Sequence, residues 1–66
     1  MNIKTLQQIV NEIADSLRGI DTLEKLEQAK GMTDNYQAQT RAILEDAITR
    51  RYLRDSAASI EKFLAR

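Results

Sequence analysis

Proline is absent from this chain and glycine occurs only twice, at Gly19 and Gly31. From Asn35 to Ala65 nothing obliges a helix to stop, and no cluster of residues in the chain reads as a strand. The chain is therefore read as all-α, cut into segments near 19–21 and 31–33. An antiparallel helical hairpin or a three-helix arrangement with a long C-terminal helix follows. The expected helices run over about 3–18, 22–30 and 34–65, within a single domain spanning 1–66.

Apolar periodicity supports that division. Ile3, Leu6, Val10, Ile13, Leu17 and Ile20 repeat at alternating spacings of three and four, the seam of an amphipathic helix, and Ile9 widens it. Thr5 with Gln8 has the capping-box spacing, with Asn2 as the alternative cap. Continuing the seam needs apolar residues at 24 and 27, yet both are glutamate. Leu23, Leu26 and Ala29 lie on a rotated face instead. Gly19 suits a left-handed helix terminus, and Asp21 with Glu24 suits a new cap. A break at 19–21 is expected, a curved continuous helix being the alternative, since one internal glycine costs only about 1 kcal/mol. Thr33 or Asp34 is the expected cap of the last helix.

That last helix carries an apolar stripe that changes sides. With Tyr36 at 0°, Ile43, Leu44, Ala47 and Ile48 fall between about 340° and 120°. Tyr52, Leu53, Ala57, Ile60, Phe63 and Leu64 fall between about 160° and 300°. Coiled-coil drift of about 20° per heptad is too small to produce this. Either the helix breaks near 54–56, or it is continuous and its two halves meet different partners. On the continuous reading Leu6, Val10, Ile13, Leu17, Tyr36, Ile43 and Ala47 form the hairpin core. Tyr52, Leu53, Ala57, Ile60, Phe63 and Leu64 then form an interface for another chain. Closing a small four-helix core within one chain is the plainer use of the same residues.

Shortness gives that interface a purpose. A chain of 66 residues buries only about 60% of its unfolded surface and commonly needs a staple or a partner. Without Cys there is no disulfide, and without Cys or His the usual zinc ligands are missing. No cofactor, metal or small-molecule substrate is expected. A homo-oligomer, most simply a dimer, or a helical protein partner is.

Catalytic candidates are few. Glu24 and Glu27 share a helix face, but Lys25 and Lys30 are close by and nothing points to burial that would shift a carboxyl pKa. Glu45 and Asp46 project about 100° apart, poor geometry for joint metal binding. The chain is read as non-enzymatic. Arg50, Arg51 and Arg54 form the only basic cluster and would serve phosphate contacts in a small dimeric regulator. Pairing of Arg50 with Asp46 and of Arg51 with Asp55 is the plainer reading. Net charge is zero, with four basic and six acidic residues in 1–35 against six basic and four acidic in 36–66. Bulk attraction to nucleic acid or an anionic membrane is not expected. Ser56, Ala57, Ala58 and Ser59 would permit close approach of another segment, or simply make a helix surface with little to bury. No secretory signal or membrane span is legible, so a cytoplasmic location is expected.

The order of features also resembles a known family. A turn with Gly31 and Asp34 precedes Tyr36-Gln37, and Leu44-Glu45-Asp46-Ala47-Ile48 follows. Over about residues 30–48 this is similar to the small E-type co-chaperones of type III secretion needle subunits. That resemblance implies a helical hairpin that partners a helical-repeat chaperone and keeps the needle subunit from polymerising early.

Overall fold

The computed structural model of the chain describes residues 4–65 and forms three helices. They are α1 (Leu6–Ser16), α2 (Leu23–Gly31) and α3 (Ala38–Leu64). The 27 residues of α3 make the spine of a body measuring 46 × 22 × 16 Å, against which both α1 and α2 pack. Ile3 and Asn2, the first seam residue and the alternative cap, lie outside the described residues.

Helix α1 begins as its sequence dictates. The Thr5 hydroxyl accepts the Gln8 backbone N–H at 3.1 Å, and the Gln8 side chain accepts the Thr5 N–H at 2.8 Å. Two of the donors that a helix start leaves open are thereby satisfied. The break that follows is real and has a defined form. Arg18 donates to the Asp15 carbonyl, and Gly19 to the Ala14 carbonyl at 2.7 Å. This is the paired bonding of a Schellman terminus. Its left-handed terminal residue is Arg18, at φ 56°, with Gly19 at φ 94° beside it. Two successive left-handed residues turn the chain, and α2 sets off separately. Its cap is Thr22, accepting from the Lys25 N–H at 3.1 Å, not Asp21 as the spacing to Glu24 suggests. Asp21 is occupied elsewhere, pairing with the Lys25 ammonium at 3.1 Å and accepting from Ser59 of α3 at 3.1 Å.

The second turn differs from expectation. Helix α3 starts at Ala38, four residues later than position 34, with Gln37 as a cap that makes no side-chain hydrogen bond. Thr33 cannot cap α3 because its hydroxyl points back, donating to the Lys30 carbonyl at 2.7 Å from a fully buried position. Successive backbone bonds from Thr33 to Lys30, Asp34 to Gly31 and Tyr36 to Thr33 make a tight turn.

The α1–α2 loop lies beside the second half of α3, Ile20 meeting Asp55 and Asp21 meeting Ser59, while Asn11 of α1 meets Arg51. The end of α1 also reaches the end of α2, where the Ser16 hydroxyl meets the Met32 sulfur at 3.8 Å. Of the two expected forms the three-helix arrangement is the one observed, since the turn at 17–22 separates α1 from α2.

The core gathers Val10, Ile13 and Ala14 of α1, Ile20 of the loop, Leu26 and Ala29 of α2, and Leu44 and Ile48 of α3. Ile9, Leu17, Ala47 and Tyr52 pack at its edge. Leu6, Tyr36 and Ile43, expected inside, are exposed, Ile43 by 53%. The reason lies in the centre of the buried sector of α3, which falls at about 100° between Leu44 and Ile48. Ile43, at about 340°, is then on its shoulder, and Tyr36 lies in the turn before α3 begins.

Candidate interaction face

Helix α3 is unbroken from Ala38 to Leu64, so the displaced stripe is one helix with two faces. The face turned to its own chain keeps its direction all along the helix. Leu44 and Ile48, at about 80° and 120°, are continued by Arg51, Asp55 and Ser59 at about 60°, 100° and 140°. What changes past Ile48 is chemistry, from apolar packing to a polar row spaced four residues apart.

Each member of that row holds the α1–α2 loop or α1 itself. Asp55 is central: its Oδ2 accepts the Ile20 backbone N–H at 2.8 Å and the Arg51 Nε at 2.9 Å. Ile20 is fully buried, and the turn at Arg18–Gly19 offers its N–H no helical carbonyl, so a carboxylate from α3 fills the need. The Arg51 fork extends the link to Asn11 of α1 at 3.4 Å. Ser59 donates to Asp21. Hydrogen bonds from Lys25, and then from Ser59, hold the Asp21 carboxyl below its ordinary pKa. Ala58 and Ser59 line a small crevice against Arg18, Gly19 and Asp21, so part of the small-residue run does admit a close segment, the chain's own loop.

With its inner face polar, the second half of α3 carries its large apolar residues outward. Leu53, Ile60, Phe63 and Leu64 are 60%, 59%, 68% and 73% exposed, and Ala57 is exposed among them. Five of the six residues read as an interface thus lie on the open side. The correction is Tyr52, half-buried at about 160° and packed against the edge of the core.

The arginine cluster is divided. Arg50 pairs with Asp46 at 3.2 Å on the surface, and Arg51 is committed to Asp55 at 2.9 Å. Arg54 makes no ion pair among the described residues. The three line a shallow groove of about 360 Å³ between α1 and α3, floored by Leu6, Val10, Ile43 and Ala47.

Glu24 and Glu27 are both exposed on α2, and Glu45 and Asp46 do not converge: Asp46 turns to Arg50. Among the described residues no group of three or more His, Cys, Asp or Glu is placed to hold a metal ion. No helix among them is long and apolar enough to cross a membrane.

Local pattern gives Asp55 a pair with Arg51, Asp21 a cap and Ser59 a place in a small-residue run, but it does not bring the three together to fasten the loop. A signal existed: Arg51, Asp55 and Ser59 continue the Leu44–Ile48 face at helical spacing. Comparison with known protein families, with curated proteins and with solved structures returns no match.

Proposed function

We propose that this chain is a small non-enzymatic protein that works by helix–helix association through the outer face of α3. The observation that carries this reading is the set Leu53, Ile60 and Leu64, each more than half exposed on the side turned away from α1 and α2. A helix whose inner face is polar and whose outer face is apolar is inverted with respect to its own chain. Such a helix gains by meeting another apolar surface. Each leucine or isoleucine covered is worth on the order of 1–2 kcal/mol at that exposure, appreciable beside the few kcal/mol a core this small supplies.

Binding of nucleic acid through Arg50, Arg51 and Arg54 has less support, since two of the three guanidiniums are already paired. The co-chaperone resemblance is one form of the association reading, with a helical chaperone as the occupant of the face.

The test uses Leu53→Glu and Leu64→Glu. Measured dilute, both variants are expected to keep wild-type helicity and melting temperature, while association through the face is lost. Variants that melt well below the monomeric wild type would show that these residues belong to the chain's own core, and the reading would fall.

A further inference from the structure

Which surface fits this face can be argued from its flanks, on the reading just given. Leu53, Ala57, Ile60 and Leu64 follow one another at spacings of four, three and four, a two-stranded seam. Upstream the same seam continues with Asp46 and Arg50, which are charged and paired to each other on the surface. The apolar stretch is therefore bounded, about 17 Å long at 1.5 Å per residue.

Its spacing is symmetric about its midpoint, between residues 58 and 59. In an antiparallel pair with a twofold axis at that point, Leu53 of each copy is level with Leu64 of the other. Ala57 is level with Ile60, small against large in each layer. A twofold axis perpendicular to the plane of two antiparallel helices brings the same flank of each to the same side. On one such flank stand Arg54 and Glu61. Neither forms an ion pair among the described residues, and the two are seven apart, too far to pair within one helix. In the antiparallel register Arg54 of one copy lies within about 3 Å, along the axis, of Glu61 of the other. The symmetry makes this contact twice. A parallel pair fares worse on the same residues. Continued upstream, its seam sets Arg50 against Arg50 and Asp46 against Asp46, and Arg54 gains no acid at its level.

We infer that the occupant of the outer face of α3 is a second copy of this chain, docked antiparallel about residues 58–59. Two Arg54–Glu61 pairs flank its Leu53–Leu64 and Ala57–Ile60 layers. This contact is short beside a standard interface, so self-association is weak, with a Kd of about 0.1 mM.

The experiment is sedimentation equilibrium of the full chain over about 10 μM to 1 mM, a range set by that affinity, with a charge-exchange cycle. Arg54→Glu and Glu61→Arg each place like charges at two symmetric positions and should weaken dimerisation roughly fivefold to thirtyfold. The double exchange should restore it to within about twofold. The chain has no cysteine, so orientation can be read by cross-linking. Under oxidation a mixture of Leu53→Cys and Leu64→Cys chains should give the mixed disulfide, and Leu53→Cys alone should give little. Single exchanges without effect, or efficient Leu53→Cys self-linking, would overturn the antiparallel register. A wild-type chain monomeric throughout the range would overturn the second copy as occupant. The association reading itself would stand in that case if Leu53→Glu still leaves the monomer fully folded, and would fall if that variant unfolds.

Discussion

Replacing Asp55 with alanine tests the claim that a carboxylate on α3 fastens the loop between α1 and α2. The substitution takes the acceptor from the Ile20 N–H, a bond to a charged group worth about 1.5–3 kcal/mol. It also leaves Arg51, whose side chain is only 22% exposed, without its partner at 2.9 Å. Exposed helical pairs are worth about 0.3–0.5 kcal/mol, and this less exposed one adds up to about 1 kcal/mol. Against these, alanine gains roughly 0.5 kcal/mol of helix propensity over aspartate. The net loss is about 2–3 kcal/mol. For a domain of this size each kcal/mol lowers Tm by about 4–8 °C, so a fall of roughly 10–20 °C is expected. Asp46→Ala is the control: it carries the same propensity gain but breaks only a surface pair whose members are 79% and 65% exposed. It should stay within about 0.5 kcal/mol of wild type. Asp55→Asn keeps a carbonyl oxygen for Ile20 and should fall between. Urea unfolding followed by circular dichroism at low micromolar concentration measures all three. Equal stabilities for Asp55→Ala and Asp46→Ala would refute the fastening role.

Leu44→Ala should cost about 2–5 kcal/mol, enough to unfold much of so small a domain; the neighbouring Ile43→Ala should cost well under 1 kcal/mol, as thermal melts will show. Gly19→Ala has room, since an added Cβ meets Asp55 Oδ2 at an ordinary 3.5 Å, but φ 94° strains it, so a loss of about 1–2 kcal/mol in urea unfolding is expected. Asp21 has a depressed pKa, so its contribution is present above the unfolded carboxylate value of 3.8 and is lost as pH falls through the lower folded value. Wild type should accordingly lose more stability than Asp21→Asn between pH 5 and 2, a range that brackets those values, and parallel acid titrations of the two would disprove it.

Much of this architecture was legible in local pattern. The capping box at Thr5 and Gln8, the break at 19–21, the Arg50–Asp46 and Arg51–Asp55 pairs and the outward stripe at Leu53, Ala57, Ile60 and Leu64 all depend on residues within one or two turns of each other. Helical spacing alone relates such residues. The core was less legible, because a stripe about 140° wide names candidates without saying where its centre will rest. Ile43 and Leu44 are adjacent and equally apolar, yet one is half exposed and the other fully buried. Only the line along which α1 and α2 approach α3 separates them. The same uncertainty covers Leu6 and Tyr52, whereas Tyr36 is exposed because the turn holds it outside α3.

By itself, then, the sequence determined that this protein is helical, where its first arm breaks, and that the apolar side of its last helix moves round. Those are consequences of backbone geometry and residue spacing. The tertiary structure decided which side of α3 is inside. The left-handed turn at Arg18–Gly19 gives the buried Ile20 N–H no backbone partner, and Asp55 supplies one from the inner face. That requirement makes the inner face polar where the stripe has left it, and it turns Leu53, Ile60 and Leu64 to the outside.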